Sequence, residues 1–147
     1  MKYIHYGSTK FDPTKFKRVK NTESLGIKPH YSTGLWASPI NSEDGWYNWC
    51  MEEGFNVDRL DKSFTFSLTK DARIFTIDSQ VDLKLLHTRG LAGLRWFNFY
   101  LDFNKLRDVY DVLHLTNEGQ WNTRMTTTYS LYGWDCECIL VMNNVIA

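Results

Sequence analysis

Cysteine is scarce in this sequence, which has three cysteines in 147 residues. An odd number cannot pair completely, and no two of them stand in a Cys-x-x-Cys arrangement. The four histidines likewise have no neighbouring ligand at the spacing that metal sites use. The sequence therefore predicts neither a disulfide framework nor a bound metal, and it indicates a reducing compartment.

Long apolar runs are also missing. The longest strongly apolar run is Ile139–Met142, which is far shorter than the roughly 20 residues that cross a bilayer as a helix. The chain does not begin with a charged segment followed by an apolar one, as a secretory leader does. We therefore expect a soluble, cytoplasmic protein that has no membrane partner.

The formal net charge at pH 7 is zero, because 17 basic residues balance 17 acidic residues. The balance is not local, since residues 1–36 contain seven Lys or Arg and two acidic residues, a net charge of +5. A basic segment attracts the phosphates of a nucleotide or a nucleic acid. A solvated loop explains the same charges equally well.

Apolar and aromatic residues are plentiful, at 43% and 16% of the sequence. These fractions exclude a disordered chain, and 147 residues suffice for one domain with a substantial core. We therefore expect residues 1–147 to form a single domain.

The segment Gly34–Ile40 is the centre of the predicted fold. It begins at a glycine and ends in a Ser-Pro pair, and Pro39 disfavours a helical conformation at Ser38. Proline also cannot donate a hydrogen bond to a neighbouring strand. The pattern predicts a short strand with Trp36 near its end.

A helical pattern follows at Ser42–Phe55. Ser42 is placed to cap the first turn, and the next apolar residues recur at helical spacing. Tyr47 begins the neighbouring face of this helix, so that a second aromatic ring can project toward the strand of Trp36. The residues predicted to pack inward are Trp46, Trp49 and Cys50.

The rest of the chain alternates irregularly between strand and helix patterns. Ser79 and Asp82 have the spacing of a capping box, whereas Gly90–Tyr100 fits either a helix or a strand. Further strands are predicted at Lys2–Tyr6, Phe64–Leu68, Arg73–Ile77 and Tyr110–Thr116, and further helices from Ser79 and Asp102. The middle two strands are expected to form a hairpin. This order predicts an α+β domain.

Three motifs in chain order resemble the diphtheria-toxin-like ADP-ribosyltransferases, a family that includes the poly-ADP-ribose polymerases and small bacterial and phage transferases. The first is a His-x-Gly at His5 and Gly7 on an early strand. The second is the Gly34–Ser38 strand, with Tyr47 eleven residues after its aromatic residue. The third is Glu137 before a late apolar strand. Together the motifs span nearly the whole chain.

The resemblance implies a domain of two packed antiparallel sheets split around a cleft that binds NAD. In the family, a glutamate in the place of Glu137 hydrogen-bonds the 2′-hydroxyl of the nicotinamide ribose, and a histidine in the place of His5 orients the NAD ribose. The nicotinamide would stack between Trp36 and Tyr47, with its carboxamide against the backbone of Gly7. The implied catalytic residues are Glu137, His5 and Trp36, and the implied NAD-binding residues are His5, Gly7, Ser8, Trp36, Ser38 and Tyr47.

This chain departs from the family pattern at three positions. Trp36 replaces the usual tyrosine, which keeps a ring but loses a hydroxyl group. Asp44 stands where a serine is usual, and Ser38 or Ser42 is a candidate to replace that serine. Asp135 stands where the arginine-modifying branch has Glu or Gln, so arginine is a doubtful acceptor.

The polar segment Gln120–Gly133 lies where the family's loop meets the acceptor of ADP-ribose. Trp121 is also interpretable as a core residue. Aromatic residues near this loop, together with the basic residues 1–36, favour a nucleobase in RNA or DNA slightly over a protein side chain. The candidate acceptor-binding residues are Trp121, Asn122, Arg124, Trp134 and Asp135.

Three functions stay open from the sequence. The first is a mono-ADP-ribosyltransferase that acts as a toxin, a phage-defence effector or a phage counter-defence protein, with an antitoxin or inhibitor as a further partner. The second is an NAD glycohydrolase or a tRNA 2′-phosphotransferase-like enzyme of the same fold. The third is a binding module without catalysis. Each motif residue alone has a plainer structural explanation, and the ordered set favours the first function.

Overall fold

The computed structural model describes residues 1–23, 27–89, 100–126 and 129–147. A 3₁₀ turn covers Val57–Arg59. The strands are β1 (Tyr3–Tyr6), β2 (Leu35–Pro39), β3 (Ser63–Phe66), β4 (Ile74–Ile77), β5 (Val112–Leu115) and β6 (Cys138–Val141). The helices are α1 (Trp46–Glu53), α2 (Gln80–Lys84), α3 (Phe103–Val109) and α4 (Asn117–Thr123). The predicted α+β class is confirmed.

The six strands form one sheet in the order β3-β1-β2-β6-β5-β4. Every neighbouring pair is antiparallel except β4 and β5, which are parallel. The expectation of two separate, purely antiparallel sheets therefore does not match the strand pairing. The predicted hairpin of β3 and β4 is wrong, because these strands lie at opposite edges of the sheet.

Strand β2 joins two parts of this sheet. Its first half, Leu35 to Ala37, pairs with β6, whereas its last residues, Ser38 and Pro39, pair with β1. The strand follows Gly34, whose φ of +69° favours glycine, and a Cβ there would come within 2.7 Å of Val19 Cγ1. The predicted strand is confirmed, and it is where the sheet divides.

The structure confirms two of the predicted helix starts and differs from the prediction at α1 and α4. Helix α3 is capped by Asp102, and the capping box of α2 from Ser79 to Asp82 is present, as predicted. Helix α1 begins at Trp46 instead of following Ser42 directly, and α4 occupies part of a segment that was expected to be a loop. Most of the ambiguous segment 90–100 lies outside the described residues.

The core lies on both faces of the sheet. The larger cluster includes Trp134, Cys138 and Leu140, whereas the smaller cluster on the other face includes Ile139 and Val141. All three cysteines are unpaired and buried. Burial raises the pKa of Cys50 to about 11, so this thiol is neutral at pH 7. In the described part of the chain, no helix is long and apolar enough to cross a membrane.

A charged pair ties the start of β4 to the start of β5. Arg73 donates to Asp111 from Nε at 3.1 Å and from Nη2 at 2.8 Å, and these bonds lower the pKa of Asp111 from 3.8 to about 2. The side chain of Asp111 is 10% exposed, although Arg73 is half exposed, which weakens the pair by solvent screening. We therefore expect Asp111→Asn to cost on the order of 1–2 kcal/mol of unfolding free energy at pH 7.

The pH dependence of this loss follows from the lowered pKa. The stabilisation is complete above about pH 5, where the carboxyl is ionised in the unfolded chain as well, and it disappears as the pH falls through about 2, where the folded-state carboxylate is protonated. Urea unfolding of wild type and variant at pH 7, 4 and 3 measures the difference. Asp108→Asn is the matched control, because its pair with Arg18 is exposed and is expected to contribute about 0–1 kcal/mol. Equal unfolding free energies for wild type and Asp111→Asn at pH 7 would contradict this assignment.

Candidate active site

A cavity of about 260 Å³ opens where β1 and β2 diverge. The two strands pair through Tyr3 with Pro39 and Ile4 with Ser38, whereas β1 pairs with β3 along all four of its residues. The cavity is lined from β1 and the residue after it by Ile4, His5, Tyr6 and Gly7, and from β2 by Trp36, Ala37 and Ser38. The division of the sheet therefore creates the site.

His5 bridges the diverging strands through its side chain. Its Nδ1 donates to the carbonyl oxygen of Trp36 at 2.6 Å, and its ring lies 5.2 Å from that of Phe64. Burial lowers the pKa of His5, partly offset by the bond to Trp36, so the neutral ring is favoured at pH 7. With Nδ1 protonated, Nε2 is a hydrogen-bond acceptor that suits a hydroxyl donor.

Gly7 presents an open backbone to the cavity. Its φ is +108°, and a Cβ at this position would meet no atom within 4 Å. Its N–H already donates to the carbonyl oxygen of Lys62 at 2.8 Å. Of the two backbone groups expected to contact a carboxamide, the N–H is therefore engaged within the protein, and the carbonyl is the better candidate.

The aromatic walls differ from the predicted pair. Trp36 packs edge-on against Trp134, with ring centroids 4.8 Å apart, and Trp134 Nε1 donates to the carbonyl oxygen of Ile27. Tyr47 is 44% exposed and lies 5.8 Å from Tyr6, which lines the cavity. Trp36 therefore lines the cavity together with Trp134, whereas Tyr47 is absent from the lining and lies behind Tyr6, so the structure does not place the predicted pair of rings on facing walls.

Charged side chains stand at the rim of the cavity. Lys28 and Arg59 contribute to the lining and are exposed, and Asp135 is the acidic residue beside them. The lining therefore carries two cations against one carboxylate. Such an excess of positive charge favours an anionic ligand group next to the aromatic walls.

Glu137 lies directly before β6, and both of its carboxylate oxygens have partners. Ser42 Oγ donates to Oε1 at 2.6 Å, and His114 Nε2 lies 3.1 Å from Oε2. The bond to His114 lowers the pKa of Glu137 most, burial opposes it, and the bond to Ser42 lowers it further. Glu137 is therefore a fixed, ionised carboxylate at pH 7.

The carboxylate of Glu137 is next to the cavity but does not line it. Cys136 and Cys138 on either side of it belong to the larger core cluster and line the cavity. Glu137 extends the other way, toward His114 and Tyr3, and its charge adds to burial in raising the pKa of Tyr3. The structure thus brings the backbone of Glu137 to the site and directs its side chain away from Trp36.

Ser38 connects the cavity to Glu137. Its hydroxyl donates to the carbonyl oxygen of Glu137 at 2.9 Å and accepts from the N–H of Trp46 at 3.0 Å. The same side chain therefore fixes the start of β6 and the start of α1 relative to β2. This contact explains why α1 begins at Trp46.

The other predicted residues are more dispersed. Trp134 and Asp135 line the cavity, whereas Ser8 does not. Trp121 is 65% exposed with the guanidinium of Arg124 5.4 Å from its ring, so its alternative interpretation as a core residue is wrong. Asn122 Nδ2 donates to the carbonyl oxygen of Asp78. Trp121, Asn122 and Arg124 lie on α4 or at its end, and none of them lines the cavity.

Several residues of the site were not found from the sequence. Tyr6 directly precedes Gly7, and His114 interrupts an apolar strand with a polar residue, which is a detectable signal. Lys28 belongs to the basic segment 1–36, which was predicted to attract phosphates, whereas Arg59 carried no local signal, because its 3₁₀ turn approaches the cavity only in the folded chain.

No protein-family model, curated protein or solved structure matches this chain. Within the described ranges, no group of three or more His, Cys, Asp or Glu side chains is placed to hold a metal ion.

Proposed function

We propose that this protein is a mono-ADP-ribosyltransferase that transfers ADP-ribose from NAD to a macromolecule and releases nicotinamide. One observation carries the proposal: the cavity between β1 and β2 is bordered by Gly7 and Trp36, and the ionised carboxylate Glu137 directly precedes β6, the strand that pairs with β2. His5, Gly7, Trp36 and Ser38 of the motifs that resemble the ADP-ribosyltransferases line this cavity, and Glu137 adjoins it through its neighbours Cys136 and Cys138. The sheet divides at β2, which supports a cleft at this position, although its strands pair as one six-stranded sheet and not as the two sheets of that family.

The cavity suits the nicotinamide end of NAD. Oxidised nicotinamide is a flat cation. Stacking on an aromatic ring such as Trp36 buries its apolar surface and adds cation–π attraction, about 0.5–2 kcal/mol per ring. The volume of about 260 Å³ is below the range of about 300–1,000 Å³ for whole-ligand pockets. The ring and part of the ribose would occupy it, and the phosphates would lie outside near Lys28 and Arg59.

Glu137 would act on the ribose. Breaking the bond between the anomeric carbon and nicotinamide leaves the bonding electrons on nicotinamide and develops positive charge on the sugar. A fixed carboxylate near the ribose hydroxyls stabilises that charge. Because the Glu137 side chain does not line the cavity, the ribose would have to extend beyond the cavity to contact it. A nucleophile on the acceptor then bonds to the opposite face of the carbon and loses a proton, so the configuration inverts.

The acceptor surface would include the exposed ring of Trp121. With Arg124 beside it, this ring offers stacking and positive charge, which is how single-stranded nucleic acids are bound. This favours a nucleobase in RNA or DNA over a protein side chain. Incubation with labelled NAD and cell lysate, followed by nuclease or protease, tests the acceptor. Label that survives nuclease and is lost with protease would contradict a nucleic-acid acceptor.

The biological role that fits a small transferase of this kind is a cytoplasmic toxin, a phage-defence effector or a phage counter-defence protein. A toxin would require an antitoxin or inhibitor as a partner. Mass spectrometry of nucleic acid and protein from expressing cells, with a search for the added mass of ADP-ribose, identifies the target.

The rim cations give a separate prediction. We expect the double variant Lys28→Glu with Arg59→Glu to raise the KM for NAD about tenfold or more at low salt, because the two phosphates lose favourable contacts. The effect should shrink as ionic strength rises. Lys70→Glu, a charge reversal outside the cavity lining, is the matched control. An unchanged KM in the double variant would place the phosphates elsewhere.

A binding module is the second candidate, and the orientation of Glu137 favours it. Both carboxylate oxygens have protein partners, and the side chain is absent from the cavity lining. In a binding module, the cavity would hold a flat ligand without turnover. Binding of NAD without release of nicotinamide would support this candidate.

A further inference from the structure

We propose that His114 is a positioning residue, which holds the Glu137 carboxylate in one orientation through Oε2 while Ser42 holds Oε1. This inference rests on the proposed function, because the orientation matters most for stabilising charge on a bound ribose. His114 lies on β5, and none of the three motifs that resemble the family includes a residue of that strand.

The position of His114 in the sheet supports this role. It is the third residue of β5, opposite Ile139 of β6 and Thr76 of β4, and its neighbours Leu113 and Leu115 are fully buried. Its own side chain is 14% exposed. A polar ring so placed needs a hydrogen-bond partner, because an unpaired buried donor is costly. Glu137 Oε2 is that partner at 3.1 Å.

Ser42 completes the arrangement from the opposite side. Its hydroxyl donates to Oε1 at 2.6 Å, and the N–H of Glu137 donates to the carbonyl oxygen of Asp44 in the same loop. The carboxylate is thereby held between a loop and a strand that are far apart in sequence. Such support fixes the rotamer of a charged group before a ligand binds.

The groups around Glu137 set the expected pH dependence. Tyr3 faces it from β1, His114 from β5 and Ser42 from the loop before α1, and the backbone of Asn117 faces it from α4. His114 lowers the pKa of Glu137 more than any other neighbour does. Removing the imidazole should therefore raise that pKa, and activity that needs the ionised carboxylate should be lost at a higher pH.

Two substitutions of His114 test the inference. Gln places an amide donor near the position of Nε2, whereas Ala removes the donor and leaves the rest of β5 in place. We expect His114→Ala to lower kcat for nicotinamide release about 10–100-fold, the effect typical of supporting hydrogen bonds. Its KM for NAD should change less than about twofold, and the acidic limb of its pH–rate profile should move to higher pH. His114→Gln should recover most of the rate. Equal kcat values and acidic limbs in wild type and both variants would overturn the inference.

A measurement that requires no enzymatic activity tests this inference independently of the proposed function. The carboxyl carbon of Glu137 is followed by NMR through a pH titration, with Glu137→Gln identifying its signal. A pKa of Glu137 that is higher in His114→Ala than in wild type, and that returns to the wild-type value in His114→Gln, supports the positioning role. This holds even if neither wild type nor variants release nicotinamide, a result that would refute the proposed enzyme but not the positioning role. Identical titrations in wild type and both variants would overturn it. Ser42→Ala, which should also raise the pKa, provides a second test if His114→Ala fails to fold.

Discussion

Replacing Glu137 with Gln should lower the rate of nicotinamide release from NAD about 10²–10⁴-fold, with little change in the affinity for NAD. The amide keeps the size of the side chain and a hydrogen bond to Ser42 or His114, but it removes the negative charge that would stabilise the oxocarbenium-like sugar in the proposed reaction. The rate is measured by following released nicotinamide at saturating NAD. A binding module would show no such dependence.

Two controls make this result interpretable. Glu118→Gln changes an exposed carboxylate on α4 and should leave the rate unchanged. Circular dichroism and thermal unfolding of Glu137→Gln should show an intact fold, because the loss concerns a charge and not a core contact. A variant that folds and retains at least half of the wild-type rate would eliminate Glu137 as the catalytic carboxylate.

Trp134→Ala should have the largest effect on stability, a loss of about 3–5 kcal/mol of unfolding free energy. The indole is 2% exposed, packs edge-on against Trp36 and donates from Nε1 to the carbonyl oxygen of Ile27. Its removal leaves a cavity in the larger core cluster and an unpaired backbone acceptor. Urea unfolding followed by circular dichroism measures the loss.

Graded substitutions distinguish these contributions. Trp134→Phe keeps most of the packing and loses the hydrogen bond, so it should cost less than the alanine variant. Tyr132→Ala, at an exposed position two residues earlier, should change the unfolding free energy by no more than about 0.5 kcal/mol. Equal costs for Trp134→Ala and Tyr132→Ala would contradict the packing described at the cavity.

Local patterns predicted the strands and helices that have strong local signals. The glycine and proline around β2, the capping box of α2 and the Asp102 cap of α3 all act within a few residues, and each of these elements is present. The partner of a strand is not a local property. Alternation indicated that β3 and β4 are strands, but it carried no information that they lie at opposite edges.

Side-chain hydrogen bonds explain why α1 begins later than predicted and why α4 forms in a segment that was expected to be a loop. Ser42 has the composition of an N-cap, but its hydroxyl is bonded to Glu137, and Ser38 instead accepts from the first N–H of α1. Thr116 caps α4 by accepting from the N–H of Gly119. Gly119 permits close packing of α4 on β4, because a Cβ at this position would overlap the carbonyl oxygen of Ile77.

The candidate site was predictable in part. The motifs placed Gly7, Trp36 and Ser38 around one cavity, because they mark a strand end and a neighbouring strand. They could not give the side to which Glu137 points, since that depends on partners 23 and 95 residues away in sequence. His114 is such a partner, and recognising its role required the register of β5 against β6.

The most direct test of the central claim is a structure of Glu137→Gln bound to NAD. Our account predicts that the nicotinamide lies against Trp36 with its carboxamide at Gly7, and that a ribose hydroxyl lies within hydrogen-bond distance of the side chain at position 137. Nicotinamide bound outside the cavity between β1 and β2, or a ribose beyond the reach of that side chain, would contradict it.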